Sequence, residues 1–363
     1  MTVNPHIAAL PPYNAGLSIR QFEQAYGTPP TAKLDSNETP FGVSPHAINA
    51  GQSAVLEAAR YPDGNGTDLR AALSAQTGVD VNQIILGNGS EDLIYALYSA
   101  VLSPEDHVLT VVPGFGLHSL AAHCLQVPVN TVRYGADWRL PFAQIAEELA
   151  KKPKIFAIAS PSNPVGVAMS LEELQALIEI TPPETLLLLD EAYFEFNPIA
   201  SLDLLQNSGL NWVSLRTFSK AYGLAGQRVG YGLCSDVALR DGMRNLTAPF
   251  NVNTTAQAMA TAALADTEFL AHTVQKTAAA RAALHSALEE MGFAPAPSRS
   301  NAVFFETDQN AQNVATGLRS MGILIKPWAE PGFERFLRVS IGTPENNQAF
   351  LEAITKLGLK PGV

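Results

Sequence analysis

The chain has 363 residues, of which 47% are hydrophobic and 16% are charged, and this composition predicts one large domain plus a smaller one. Its net charge of −11 argues against partners such as nucleic acid or an anionic membrane, and no apolar run approaches the roughly 20 residues of a membrane span. Two isolated cysteines, Cys124 and Cys234, and an N-terminus without a signal-peptide pattern predict a cytoplasmic protein.

The first 35 residues are rich in Pro, Gly and Asn and predict an arm with one helix near residues 18–26. Helices are then expected over residues 45–59 and 67–77. From residue 84 onward helices alternate with short apolar strands, predicted at residues 84–86, 108–112, 155–159, 186–190, 212–217 and 229–233. Continuous apolar strands separated by helices predict an α/β fold, with a mostly parallel sheet flanked by helices on both faces.

The pattern changes after residue 250. A long helix over residues 267–291 is followed by strands at 302–305, 322–326 and 336–340, with helices between them. These elements predict a smaller α+β domain. We therefore divide the chain into an N-terminal arm (residues 1–35), a large domain (36–250) and a small C-terminal domain (251–363).

Polar residues recur where the predicted strands end, which is where parallel α/β sheets bind ligands. Asp190 ends one apolar run, and Asn163 lies in the loop after another. Alone, Asp190 could equally cap a helix, and Asn163 could belong to a plain Asn-Pro turn. Lys220 follows the strand at 212–217 in a segment poor in charge. Desolvation there lowers the pKa of an amine and favours Schiff-base chemistry with carbonyls.

The turn Gly87-Asn-Gly-Ser90 lies between a strand and a helix, which is a natural place for a phosphate to bind, although the signal is weak when taken alone. It lacks the third glycine of a dinucleotide fingerprint and the Lys-Ser/Thr of a P-loop. We expect no metal site, since His118 and His123 lie about 140° apart around a helix. A phosphate site, a reactive lysine, an acid and donors for a phenolate oxygen together describe pyridoxal phosphate. The residues are Ser90, Ser219, Arg228, Lys220, Asp190, Asn163 and Tyr193.

The motifs, in their order along the chain, resemble those of fold-type I pyridoxal-phosphate-dependent aminotransferases, and most closely the histidinol-phosphate aminotransferase family. The resemblance covers nearly the whole chain. It rests on the segments Pro12-Tyr13, Ser36-Asn-Glu-Thr-Pro-Phe-Gly42, Tyr61-Pro-Asp63, Gly87-Asn-Gly-Ser90, Ser162-Asn-Pro-Val-Gly166, Asp190-Glu-Ala-Tyr193, Thr217-Phe-Ser-Lys-Ala-Tyr-Gly-Leu-Ala-Gly226, Phe250-Asn-Val-Asn253 and Leu337-Arg-Val-Ser-Ile-Gly-Thr343.

The resemblance implies that Lys220 forms the Schiff base with pyridoxal 5′-phosphate and then moves a proton between substrate and cofactor. Asp190 would pair with the pyridine nitrogen. Asn163 and Tyr193 would hold the ring oxygen, and Phe115 would stack on the ring where the family also uses tyrosine.

The same resemblance implies that the cofactor phosphate is bound by the amides of Ser90 and Glu91 and by Ser219 and Arg228. The family usually has Ser-Asp-Glu after Gly-Asn-Gly; the order Ser-Glu-Asp here is tolerable because the amides do the binding. Tyr61 would reach the phosphate of the partner subunit, which makes the active unit a homodimer with shared active sites.

For the substrate, the resemblance implies that Arg338 clamps the anionic end and that Asn37 also contacts the substrate. Tyr13 would close over the anionic end from the partner subunit. Lys326 stands where the family has a second arginine, and it keeps the charge but not the planar fork.

The implied reaction is transamination between an amino donor and a 2-oxo acid. The expected pair is L-histidinol phosphate and 2-oxoglutarate, in histidine biosynthesis. An aromatic amino-acid aminotransferase of the phenylalanine type and, less favoured, a threonine-phosphate decarboxylase remain open. So does a function of another class, a non-catalytic regulator built on the same fold, although the chain has no room or charge for an added DNA-binding domain.

Overall fold

Two sheets organise the computed structural model, which describes residues 3–10 and 16–362. In the described residues the strands are β1 (Ala32–Leu34), β2 (Ile84–Gly87), β3 (Val108–Val112), β4 (Val129–Arg133), β5 (Ile155–Ala159), β6 (Leu186–Asp190), β7 (Trp212–Thr217), β8 (Gly230–Cys234), β9 (Ala302–Glu306), β10 (Ile323–Pro327) and β11 (Phe336–Ser340).

Fourteen α-helices accompany these strands within the described ranges. They are α1 (Pro5–Ala9), α2 (Ile19–Tyr26), α3 (Pro45–Ala54), α4 (Thr67–Thr77), α5 (Ser90–Val101), α6 (Leu117–Cys124), α7 (Phe142–Leu149), α8 (Leu171–Ile180), α9 (Ser201–Gln206), α10 (Val237–Arg244), α11 (Thr254–Ala265), α12 (Thr267–Glu290), α13 (Ala311–Ser320) and α14 (Pro344–Lys356). None of these described helices is long and apolar enough to cross a membrane.

The larger sheet has seven strands in the order β2-β8-β7-β6-β5-β3-β4. Only β8 runs against the others, since it pairs antiparallel with both β2 and β7. All residues of β6 and β7 are buried, as expected for central strands covered by helices on both faces. The predicted α/β fold with a mostly parallel sheet is confirmed.

The smaller sheet has four strands in the order β1-β10-β11-β9. β1 comes from the end of the predicted arm and pairs in parallel with β10, whereas the other pairs are antiparallel. One face packs on a core that includes Leu288, Phe305, Leu318 and Phe350. This mixed sheet with its helices is the predicted α+β unit.

The domain bounds given above stay a prediction. Helix α11 was assigned there to the small domain, yet it packs on α3. Its buried residues Ala256, Met259 and Ala260 belong to the core of the seven-stranded sheet. The first fully buried residue that α12 contributes to the small-sheet core is Leu284, in the second half of the helix.

Candidate active site

A cavity of about 470 Å³ lies where β5, β6 and β7 end and where β10 and β11 face them. Carboxyl ends of parallel strands meet at one edge of a sheet, which is why residues distant in sequence come together here. The predicted residues that line it are Ser90, Glu91, Phe115, Asn163, Asp190, Tyr193, Ser219, Lys220, Arg228, Lys326 and Arg338.

Lys220 follows β7 and directs its amine into the cavity, where Nζ donates to the backbone carbonyl of Ser36 at 3.3 Å. The pKa of Lys220 is lowered to about 8, chiefly by burial and next by the charge of Arg338. A buried ammonium loses hydration, so the neutral amine is favoured. The desolvation predicted from the charge-poor sequence around Lys220 therefore has a structural basis.

Asp190 ends β6 and is 5% exposed. Its Oδ2 lies 3.2 Å from Nε2 of His118, at the start of α6, and its Oδ1 accepts from the amide of Ala192 at 3.1 Å. His118 is 3% exposed, and its ring stands edge-on to Phe115 with centroids 6.0 Å apart. The carboxylate thus has one oxygen held by the backbone and the other by an imidazole, which leaves it a single orientation.

Asn163 lies in the loop after β5 and is bonded to the smaller sheet. Its Oδ1 accepts from Nη1 of Arg338 at 2.9 Å, while Nη2 of Arg338 donates to the carbonyl of Asp35. Arg338 is 7% exposed. The side chain expected to hold a cofactor oxygen and the side chain expected to clamp a substrate are therefore in direct contact.

Asn37 makes a second bridge between the two sheets, although it does not line the cavity itself. Its Nδ2 donates to the hydroxyl of Tyr193 at 2.8 Å, and its Oδ1 accepts from the hydroxyl of Ser340 at 2.7 Å. Asn37 has a φ of 52°, a left-handed conformation that asparagine tolerates better than most residues. The backbone bends here so that one amide side chain reaches both partners.

The start of α5 forms a cradle with the segment before β8. The cap residue of α5 is Gly89, with a φ of 82° and no side-chain cap bond, so the first amides of the helix point outward without a side-chain partner. A Cβ on Gly89 would lie 2.6 Å from Nη2 of Arg228. Nη1 of Arg228 lies 3.4 Å from the hydroxyl of Ser219, and Nη2 pairs with Glu91 at 3.2 Å.

Two cations face each other at the opposite end of the cavity. Lys326 on β10 and Arg338 on β11 are paired directly across the antiparallel ladder, so both side chains point to the same face. The pKa of Lys326 is lowered by burial and, next, by the charge of Arg338. Like charges opposed in this way disfavour each other, and an anion bound between them relieves the repulsion.

Of the predicted residues that the structure describes, Tyr61 does not join this constellation. Tyr61 is 82% exposed and stacks on Phe250, with ring centroids 4.6 Å apart, away from the cavity of its own chain. Tyr13 lies outside the described residues. Among the described residues no group of three or more His, Cys, Asp or Glu side chains could hold a metal ion.

Sequence reasoning missed the role of His118, because this residue was weighed only as a metal partner of His123. The sequence did indicate that His118 and Asp190 could be close. His118 comes soon after the end of β3, Asp190 ends β6, and the two strands run parallel in one sheet. The contact of Lys220 with the carbonyl of Ser36 carried no such signal, because a backbone oxygen has no signature in a sequence.

The sequence profile of the family "Aminotransferase class I and II" matches residues 29–354, most of the chain. The chain belongs to this family of aminotransferases. The predicted fold type and enzyme class, a nitrogen-group transferase, are thereby confirmed.

Relatives narrow the position of this aminotransferase within the family. It is 41% identical over 350 residues to histidinol-phosphate aminotransferase 1 of Mesorhizobium japonicum, and the alignment covers 95% of each chain. It is 39% identical over 360 residues to histidinol-phosphate aminotransferase 3 of Rhizobium meliloti, covering 98% of this chain and 97% of the relative. The predicted resemblance to the histidinol-phosphate aminotransferases is confirmed.

A solved structure gives the same result for the fold. The histidinol-phosphate aminotransferase from Sinorhizobium meliloti, solved in complex with pyridoxal-5′-phosphate, superposes with a TM-score of 0.90 at 27% identity and 98% coverage of both chains. The aminotransferase therefore shares its whole architecture, both sheets included, with an enzyme of this branch.

Proposed function

We propose that this protein is a pyridoxal 5′-phosphate-dependent aminotransferase that converts L-histidinol phosphate and 2-oxoglutarate to imidazole-acetol phosphate and L-glutamate. The observation that carries the proposal is the arrangement of a desolvated lysine between two anion-binding ends of one cavity. One end is the cradle at Arg228, and the other is the facing pair of Lys326 and Arg338. The names of the relatives support the choice of substrate.

The cavity residues fit the cofactor. The cradle at Gly89 would be filled by a Cβ, and it presents helix amides, the hydroxyl of Ser219 and the guanidinium of Arg228, which are donors suited to a phosphate. Asp190 is a buried acid suited to a protonated ring nitrogen. When bound, pyridoxal phosphate supplies an electron sink for the carbanion formed at the substrate α-carbon.

The residues of this chain then have separate tasks. Lys220, with its pKa lowered to about 8, has an accessible neutral form at physiological pH and removes and returns the proton at the α-carbon. His118 holds the carboxylate of Asp190 in one orientation. Asn163 and Tyr193 would hold the phenolate oxygen of the cofactor, each supported by a bond that reaches toward the smaller sheet, and Phe115 would cover one face of the cofactor ring.

Lys326 and Arg338 bind the anionic end of the substrate. A phosphate monoester carries nearly two negative charges and matches two cations, whereas the carboxylate of an aromatic amino acid carries one. Lysine at position 326 keeps this balance of charge, although it cannot supply a planar fork.

Steady-state kinetics test the substrate. We expect kcat/KM for L-histidinol phosphate to exceed that for phenylalanine by at least about tenfold. This ratio corresponds to roughly 1.4 kcal/mol of additional binding energy from the second cation. A preference for phenylalanine would contradict the histidinol-phosphate assignment and favour the aromatic aminotransferase. A visible cofactor band that does not shift on addition of any amino donor would instead favour a non-catalytic regulator.

A homodimer completes the proposal. Apolar side chains are exposed after α3 and in the loop before α11: Leu56 and Tyr61 are each 82% exposed, Leu246 is 51% exposed and Phe250 is 45% exposed. Tyr61 and Phe250 stack on each other, and exposed apolar side chains that group together are typical of a protein interface. A partner subunit seated here would bring Tyr61 to the phosphate of the neighbouring site.

Sedimentation of the wild-type protein and of a Leu56→Asp variant tests this interface. We expect the wild type to sediment as a dimer and the variant, with a charge among these exposed apolar side chains, to dissociate. A monomeric wild type with full activity would contradict the shared active site. The cytoplasmic location stays a prediction.

A further inference from the structure

A second cleft, of about 750 Å³, lies between the loop after β4 and the helix α12. Residues 134, 137–140 and 167–169 form one side, and α12 with residues 297–299 forms the other. Ala159 lines both this cleft and the active-site cavity, so the two spaces lie on either side of the end of β5. A volume of this size is typical of sites for small organic molecules.

Two arginines, Arg281 and Arg299, line this cleft. Arg281 on α12 is half-buried and donates through Nη1 to the carbonyl of Ser300 at 2.6 Å. Its pKa is lowered by burial and, next, by the charge of Arg299. Among the described residues no Asp or Glu lies within ion-pair distance of either arginine. An anion in the cleft would therefore meet two cations that have no carboxylate partner in the described part of the chain, one half-buried and one exposed.

The carboxylates around the cleft are already engaged. Asp137 pairs with Arg139 at 3.5 Å, both exposed at the rim. Glu173 accepts from the backbone amide of Ser170 at 2.9 Å, where it closes the capping box of α8. Further along α12, Glu289 lies 3.3 Å from Nδ1 of His285, which lines the cleft. None of these acids pairs with Arg281 or Arg299.

The remaining wall is apolar and includes the indole of Trp138. Trp138 is half-buried, and its ring stands edge-on to Phe304 of the smaller sheet with centroids 5.7 Å apart. Val167 and Met169 continue this wall toward β5. A flat apolar group can lie against such a surface while a charged group reaches the arginines.

We propose that this cleft is a second ligand site, separate from the active site, which binds a small aromatic carboxylate. The carboxylate lies between Arg281 and Arg299, which can each offer two parallel N–H donors, and the ring lies against Trp138. The site does not depend on the identity of the amino donor or on the residues assigned to catalysis.

The probe is 4-nitrobenzoate, whose nitroaromatic ring quenches tryptophan fluorescence on contact. We expect saturable quenching in the cofactor-loaded enzyme, and at least about tenfold weaker binding in Arg281→Gln and in Arg299→Gln, because each loses a hydrogen bond to a charged group. Arg299 is exposed, so its variant is expected to fold even if Arg281→Gln does not. The uncharged 4-nitrobenzamide should bind at least about tenfold more weakly than the carboxylate.

Two controls separate this site from the active site. An Arg338→Gln variant should keep the quenching, since it removes the carboxylate clamp of the active site only. A Trp138→Phe variant should lose most of the quenching while calorimetry still detects the bound probe. Equal quenching by the neutral amide, no saturation in the wild type, or loss of quenching in Arg338→Gln would each overturn the proposal.

Discussion

Replacing Lys220 by methionine is expected to make the cofactor-free protein more stable at pH 7, although it abolishes turnover. The folded-state pKa of Lys220 is lowered from 10.5 to about 8, chiefly by burial. At roughly 1.4 kcal/mol for each pKa unit, the charged lysine costs the folded state about 3 kcal/mol. This is an upper limit, because the amine faces an open cavity.

The sign of the pH dependence follows from proton binding. Between about pH 8 and 10.5 the unfolded state binds more protons at this lysine than the folded state, so the stability of the wild type rises with pH. We expect Lys220→Met to exceed the wild type by up to about 3 kcal/mol at pH 7 and by only about 1 kcal/mol at pH 9.5.

Urea unfolding of the two cofactor-free proteins at both pH values measures these differences. The matched control is Lys356→Met, at an exposed position near the end of α14, for which the difference from wild type should not change with pH. A stability difference between Lys220→Met and wild type that is the same at pH 7 and pH 9.5 would refute a desolvated amine. In the cofactor-loaded state, near-normal turnover by Lys220→Ala would refute its catalytic role.

Three further predictions follow from the contacts. His118→Phe should release the cofactor several-fold more readily in equilibrium dialysis, because Asp190 loses the imidazole that orients it; unchanged affinity would contradict this. Arg338→Gln should lower kcat/KM by roughly tenfold to a hundredfold, about 1.5–3 kcal/mol, with partial recovery in Arg338→Lys. Burial raises the pKa of Glu195 from 4.5 to about 7, so the wild type should lose stability as pH rises through this window. Denaturant titrations at pH 5 and pH 8 should show a smaller loss of stability in Glu195→Gln than in the wild type. An equal loss in both proteins would contradict the raised pKa of Glu195.

The central strands and their ends could be predicted from the sequence because burial on both faces makes them continuously apolar. The run Leu186–Asp190 is the clearest case, and it located Asp190 directly. Strand β4 was not predicted, because it forms the edge of the sheet and alternates half-buried, exposed and buried residues. The assignment of α11 also missed its packing on α3, since contacts between helices more than 200 residues apart leave no local pattern.

Some features of the site arise only when the two sheets come together. Arg338 belongs to the smaller sheet, yet it donates to Asn163 in the loop after β5. Asn37 bonds Tyr193 on one side and Ser340 on the other. Asn163 is thus joined directly to β11, the strand that carries Arg338, and Tyr193 is joined to the same strand through Asn37. Because the bonded groups are buried, removing one partner of such a bond would leave the other unsatisfied, at about 1–3 kcal/mol for each group. The cofactor end and the substrate end are therefore assembled by the same packing event.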